Sequence, residues 1–242
     1  MLELEPNLAE AHAGLGWLAY LDWHWPDAEG HFHRAIALNP RCAIAHMRYG
    51  LALVNAGRPE EGRRELLAAE RLEPELPRIK KNLGHAFYVE RKFREAIAQY
   101  QKAIDLEPSY PYAHYCIGQA RRALGDYPRS IDEMEISELV YRKDPKDVRR
   151  RYAELRAAFA TGGTNAYWHA LRQQGETTAN LYWQAQSWAH LNDYSQALDI
   201  LDRYFMTNRI ESLSDLLFDE TWDPVHESPR FVALLKKTGL RP

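Results

Sequence analysis

Apolar residues recur along the chain at helical spacing. Ile79, Leu83, Ala86 and Phe87 stand at i, i+4, i+7 and i+8, and Phe93, Ala96, Ile97, Tyr100, Ala103 and Ile104 follow the same rule. Each set makes an apolar stripe on a helix of roughly ten residues. Turn-forming phrases separate such stripes: Asn55-Ala56-Gly57-Arg58-Pro59 and Leu124-Gly125-Asp126-Tyr127-Pro128. No convincing run of alternating β-branched residues appears, so the pattern predicts an all-α chain.

The stripes are periodic. Pro6, Pro40, Pro74 and Pro108 fall 34 residues apart, each closing a similar phrase (LELEP, IALNP, RLEP, IDLEP). Small residues recur in pairs: Gly16 with Ala28, Gly50 with Gly62, Gly84 with Ala96, Gly118 with Ser130, and later Ala185 with Ala197. Small residues where two helices cross let the backbones approach. Large apolar residues keep register with them at Leu15, Tyr49, Leu83 and Ile117, and again at Phe32, Leu66, Tyr100 and Met134. Trp25, Phe93, Tyr127 and Tyr194 recur at the turn into the second helix. This multi-position pattern resembles the tetratricopeptide repeat, a helix–turn–helix unit of 34 residues. The resemblance implies a right-handed superhelical solenoid of stacked helix pairs.

On that register, residues 1–8 are the tail of a preceding repeat. Four repeats follow at 9–42, 43–76, 77–110 and 111–145. A degenerate helix pair occupies 146–176 around Thr161-Gly162-Gly163-Thr164, and a further repeat 177–210. Residues 211–242 differ in kind. They read as a short helix near Ser212–Phe218, an acidic loop through Trp222-Asp223-Pro224 and a last helix from Pro229, a cap for the array's final apolar face. The N-terminal face, with Leu8, Leu15 and Trp23, is expected to meet a missing segment, a partner or a second copy. The closing stretch, with Ser228-Pro229-Arg230-Phe231 and Gly239-Leu240, and the phrase Trp23-x-Trp25-x-x-Ala28-Glu29 resemble the repeat regions of bacterial winged-helix transcriptional regulators and class III adenylate cyclases. No winged-helix or cyclase motif is present.

Composition removes several function classes. The chain has 242 residues and a net charge of -3, so no global nucleic-acid or membrane-surface signature exists. Cys42 and Cys116 are too few for a disulfide scaffold or a four-cysteine zinc site. MLELEPNLAE lacks the basic start and apolar stretch of a secretory signal. The chain reads as cytoplasmic, or periplasmic if a membrane span lies upstream. His12, His46 and His114 share one repeat position, too far apart in sequence for one tetrahedral site, and His31 and His33 point to different faces. No metal and no cofactor are expected. There is no nucleophile elbow and no phosphate loop, and Gly14-Leu15-Gly16 sits inside a helix. The chain is therefore not read as an enzyme. The basic run from Arg142 to Arg156 reads as a solvated helix face, with docking to an acidic surface or a phosphate backbone as the alternative.

The resemblance implies that the first helices of the pairs line a concave groove that binds a peptide or partner domain. Its ligand-reading positions fall here on Trp17, Tyr20, Met47, Arg78, Lys81, His85, Tyr88, Tyr112, Tyr115, Gln119 and Arg122. A mixed aromatic and basic groove suits a peptide of acidic character. The opening repeat has Ala13 and Trp17 where the family's chaperone-tail clamp has Lys and Asn, so a chaperone tail is not the expected ligand. The chain is thus expected to be a non-catalytic protein-interaction module of a larger bacterial signalling or transcription regulator. Its partner is a protein or peptide, with neither nucleic acid nor membrane expected, and its uncapped end could support a homodimer. Two alternatives stay open: a small-molecule sensor holding its ligand beneath Trp168, Trp183 and Trp188, and a nucleic-acid-binding solenoid.

Overall fold

The computed structural model describes residues 8–141, 144–178, 180–207 and 218–237. The described residues are helical, with no strand among them. Helices α1 (Ala9–Leu21), α2 (Trp25–Leu38), α3 (Ala43–Asn55), α4 (Pro59–Leu72), α5 (Pro77–Val89), α6 (Phe93–Leu106), α7 (Pro111–Ala123) and α8 (Tyr127–Val140) come first. They are followed by α9 (Pro145–Thr178), α10 (Leu181–His190), α11 (Tyr194–Thr207), a 3-10 helix (Glu220–Val225) and α12 (Pro229–Lys237). The chain divides into two compact units, Met1–Cys116 and Ile117–Pro242.

In the first unit, consecutive helices pack as the pairs α1/α2, α3/α4 and α5/α6, with α3 also touching α1, α2 and α5. Glycine at the crossing explains how close these pairs come. A Cβ on Gly16 would lie 2.9 Å from Phe32 and 3.1 Å from the Ala28 carbonyl oxygen. On Gly84 it would lie 2.5 Å from Tyr100. Each crossing thus seats a large second-helix side chain where a glycine leaves room. Phe32, Leu66 and Tyr100 are at most 1% exposed as a result. Burying a side chain of that size contributes about 1.5–3 kcal/mol.

The turns inside the pairs follow one backbone rule. Trp23 (φ 62°), Gly57 (φ 79°), Arg91 (φ 57°), Gly125 (φ 78°) and Asn192 (φ 64°) all adopt the left-handed conformation. In each turn the next residue's N–H reaches back to a carbonyl five residues earlier, as His24 does to Ala19 (2.8 Å) and Lys92 to Phe87 (2.9 Å). This is a helix C-terminal motif that glycine fills without strain. The chain places Trp, Arg and Asn there all the same.

The second unit departs more from regular pairing. The helical run of α9 is broken at Gly163 (φ 62°, ψ −151°), so it comprises two helices meeting there. Helix α8 packs on α9, α9 on α10, and α10 on α11. The basic run does not form a wholly solvated face. Arg151 is 6% exposed and its guanidinium pairs with Glu138 of α8 and with Asp147 Oδ2 at 2.9 Å. Tyr152 donates to the same Glu138 at 3.1 Å. Arg156 pairs with Asp132 at 2.7 Å and with Glu135 at 2.5 Å. The α8 carboxylates therefore hold much of the charge that the sequence leaves unassigned. Arg142 and Lys143 lie outside the described residues.

The stretch through Trp222-Asp223-Pro224 is a 3-10 helix rather than a loop. Asp219 caps it, its Oδ1 accepting from Thr221 N–H at 2.9 Å, and Trp222 is fully buried against Phe231 with ring centroids 6.1 Å apart. The buried indole anchors the segment, which a count of its polar residues does not foresee. The expected tail before residue 8, the short helix near Ser212 and the Gly239-Leu240 end lie outside the described residues, apart from Phe218.

Candidate functional site

Carboxylates are scarce on the first helices of the pairs and common on the second, while bases occur on both. The first helices α1, α3, α5 and α7 carry a single carboxylate, Glu10, against Arg48, Arg78, Lys80, Lys81, Arg121 and Arg122. The second helices carry many of the acids, among them Glu29, Glu61, Glu65, Glu95 and Glu138. Two of the basic side chains are drawn away: Lys80 pairs with Glu70 at 2.5 Å and Arg121 with Asp126 at 3.3 Å.

In the first unit the first helices bring several expected site residues together. Trp17 stacks on Tyr20 with centroids 4.8 Å apart, and Trp25 meets Tyr20 edge-on at 5.1 Å. Asn55 links three helices. Its amide nitrogen donates to the Tyr20 hydroxyl at 2.5 Å, which leaves its Oδ1 to accept from His85 Nε2 at 2.9 Å. Lys81 Nζ lies 4.9 Å from the centroid of the Tyr112 ring, and Tyr112 and Tyr115 are 5.9 Å apart. A cation held over an aromatic face is worth about 0.5–1 kcal/mol at an exposed site. Tyr112 is 42% exposed, so this pair also presents surface. Arg78 is exposed and Arg48 half-buried, and the two guanidinium groups repel: burial first, then the Arg78 charge, lowers the Arg48 pKa.

Other expected site residues lie deeper. Met47 is 3% exposed and packs in the core, and Tyr88 is buried edge-on against Phe93 at 5.4 Å. Leu8, Leu15 and Trp23 are half-buried. In the second unit Gln119 is buried, and Arg122 lies 5.1 Å from the Trp168 ring centroid. Trp168 is 2% exposed, with His190 stacked on it at 3.8 Å and 11°. The space beneath Trp168 is thus filled by the protein's own imidazole. Trp188 carries the Arg172 guanidinium at 4.8 Å, and the Trp183 backbone N–H donates to Asn180 Oδ1, the cap of α10, at 3.0 Å.

Two histidines in these clusters are held neutral. Burial, then the Lys81 charge, pushes His85 down to about 3. Burial, then Arg122, pushes His190 down to about 4 against the pull of Asp219. His46 moves the other way, raised by its hydrogen bond to Glu65. The signs predict a pH dependence. Below the unfolded value near 6.5 the unfolded chain takes up protons that folded His85 and His190 refuse. Stability therefore falls by up to about 1.4 kcal/mol per pH unit for each of them between pH 6.5 and about 4. The His46 contribution is complete below pH 6.5 and fades as pH rises through its raised value. Urea unfolding at pH 7 and pH 5 checks this: His85→Gln, which keeps a donor for Asn55, is expected to flatten the slope. An equal slope in the variant contradicts it.

Sequence reasoning missed the partners that these residues take. Asn55 lies one residue from a groove-reading position, and its bridging role depends on three helices that no local pattern connects. The His46–Glu65 pair, 2.6 Å long, spans 19 residues, the offset between facing positions of one helix pair. The same offset separates His12 from His31.

Comparison with known proteins places the fold. Residues 24–77 match a family model described as tetratricopeptide repeat, and residues 92–125 one described as TPR repeat. The chain is 27% identical over 164 residues to the type IV pilus assembly protein PilF of Pseudomonas aeruginosa. That match covers 67% of this chain and spans 56% of the relative's length. The solved structure of pilF from the same organism superposes with a TM-score of 0.53 at 18% identity, covering 86% of this chain and 81% of that one. A tetratricopeptide repeat protein from Parabacteroides merdae superposes with a TM-score of 0.54 at 13% identity, covering 95% of this chain and 91% of that one. Among the described residues no helix is long and apolar enough to cross a membrane. The paired helices, the glycine crossings at 34-residue intervals and these matches have one reading: the chain carries tetratricopeptide repeats and has the tetratricopeptide fold.

Proposed function

We propose that the chain is a non-catalytic protein-interaction scaffold whose first-helix face takes an acidic segment of a protein partner. The observation that carries this reading is the near absence of carboxylates from the first helices α3 and α5 beside their bases. Arg48, Arg78 and Lys81 stand on helices that hold no carboxylate, with Arg78 beside Tyr110 and Lys81 over the Tyr112 ring. Lys81 over Tyr112 offers a flat aromatic contact beside a cation, which suits a carboxylate-bearing peptide. The rings supply contact area with little side-chain entropy to lose.

The setting of this scaffold draws on two likenesses. The closing Trp222-Asp223-Pro224 phrase resembles the repeat regions of bacterial transcription regulators and adenylate cyclases. The Pseudomonas relative is named for pilus assembly. Non-catalytic docking serves a machine of either kind. The alternative of a metabolite sensor beneath Trp168 is disfavoured by the stacked His190 that fills the place.

The test is a fluorescence anisotropy screen of labelled acidic peptides against the full chain. Lys81→Glu with Arg78→Glu is expected to weaken any hit at least about tenfold, and added salt to weaken the wild type. Binding that is indifferent to both changes removes the reading.

A further inference from the structure

The first helix pair brings together two imidazoles that the protein-binding reading does not use. His12 on α1 and His31 on α2 face each other with their Nδ1 atoms 3.1 Å apart, their ring planes tilted by 35°. Their backbones are fixed by the tightest part of the pair. Ala9, Ala13 and Ala35 are buried in one apolar cluster beside them, and Gly16 closes on Phe32 one turn further on. The contact is a hydrogen bond when one Nδ1–H donates to the other nitrogen's lone pair.

The same distance has a second chemical meaning. Metal–imidazole bonds run about 2.0–2.1 Å, so two ligands at a right angle on one metal lie about 2.8–3.0 Å apart, and two tetrahedral ones about 3.3–3.4 Å. The 3.1 Å separation falls between these edges. We propose that His12 and His31 form a two-imidazole chelate for a borderline divalent transition cation of the nickel or copper type, which binds across α1 and α2 in place of the shared proton.

The donor set fixes the class. Imidazole nitrogens select Cu2+, Ni2+ and Zn2+ over the oxygen-seeking Mg2+ and Ca2+. Among the described residues no third His, Cys, Asp or Glu completes the group. An angle near a right angle favours tetragonal copper or nickel over a closed tetrahedral zinc site. The pair also differs from its counterpart one repeat on. There the facing residues are His46 and Glu65, and the Pro40 carbonyl accepts from His46 Nε2 at 3.1 Å. With both nitrogens donating, His46 has no lone pair for a metal. Only in the first pair do two imidazoles meet in this way among the contacts seen at these positions.

Titration calorimetry of the chelator-treated full chain with Ni2+, and separately with Cu2+, tests the proposal. One saturable cation per chain is expected, and His12→Gln and His31→Gln are each expected to weaken it at least about tenfold. His33→Gln, two residues along the same helix, is expected to leave it unchanged. Circular dichroism confirms that each variant is folded. Should either fail to fold, Cu2+ electron paramagnetic resonance of the wild type decides, with hyperfine structure from two imidazole nitrogens expected. No uptake by the wild type, equal uptake by His12→Gln and His31→Gln, loss on His33→Gln, or a copper signal lacking two imidazoles each overturns the assignment. None of these outcomes bears on acidic-peptide binding, which uses other side chains.

Discussion

Gly62→Ala is expected to destabilise the first unit by about 3 kcal/mol or more. A Cβ there would lie 2.5 Å from the Gly50 carbonyl oxygen, 2.6 Å from Val54 Cγ2 and 2.9 Å from the Val54 backbone nitrogen. Two of the three obstacles are main-chain atoms of α3, so no rotamer change makes room. The helices must separate, and Gly50 and Leu66 lose their contact as they do. Overpacking a tight interior commonly costs about 1–3 kcal/mol, and the upper end applies where backbone must move. Gly30→Ala supplies the contrast. Gly30 is exposed inside α2, and a Cβ there meets nothing within 4 Å. That change is expected to stabilise by about 0.5–1 kcal/mol, since alanine loses less backbone freedom in a helix than glycine. Urea unfolding of the two variants separates a crossing glycine from a tolerated one. Equal midpoints would refute the crossing argument.

Arg151→Met is expected to cost the second unit about 3–5 kcal/mol, because it breaks a buried ion pair by removing one partner. Glu138 is 6% exposed and also accepts from Tyr152 at 3.1 Å, so removing the guanidinium takes a buried cation away from a buried carboxylate. The same pair contributes far less than that when judged against an apolar replacement. The double variant Glu138→Leu with Arg151→Met is therefore expected to recover most of the loss, since burying two charges is itself costly. Arg150→Met on the same helix is the control. Its side chain is 60% exposed while paired to Asp147 and Glu154, and its loss is expected to leave the unfolding midpoint nearly unchanged. If Arg151→Met proves as mild as Arg150→Met, the buried pair does not hold α8 to α9.

The contrast between these two predictions also marks what was legible in the residues alone. The crossing glycines are visible because their period is strict. Gly16, Gly50, Gly84 and Gly118 recur at one interval, and each faces a large residue at a second fixed interval. Arg151 is a different case. As one of seven bases between Arg142 and Arg156 it looks solvated, and its partner belongs to another helix. A local signal did exist: Val148, Tyr152 and Leu155 are all buried, and Arg151 lies on their stripe. An arginine on an apolar stripe needs a buried carboxylate, but the stripe does not say which one. The Trp222 segment escaped for a related reason. Its polar composition suggests a loop, while one indole with its bulk in the core decides the conformation.

The candidate site was legible only in part. Charge and aromatic content of the first helices can be read directly, and the structure keeps Lys81, Tyr112 and Tyr115 together, with Tyr112 exposed and the other two half-buried. Met47 and Gln119 occupy groove-reading positions by register, yet both are buried. Register fixes which helix face a residue occupies but not how deeply its neighbours cover it. The His12–His31 contact fell between the two modes of reading. Comparing equivalent histidines in different repeats separates them, whereas comparing facing positions within one repeat joins them.

The turns described above have a last consequence. Each has a main-chain hydrogen bond reaching five residues back, and Asp126 and Asp193 add side-chain caps just past two of the corners, so closure is supplied by the backbone and by the residue after the corner. Trp23, Arg91 and Asn192 stand at corners that glycine occupies elsewhere in the same chain. An L-residue there adds about 1–2 kcal/mol of local strain. These tips can therefore be rewritten, one at a time, while the helices on either side keep their places, which makes them natural points for grafting a reporter or a new recognition element.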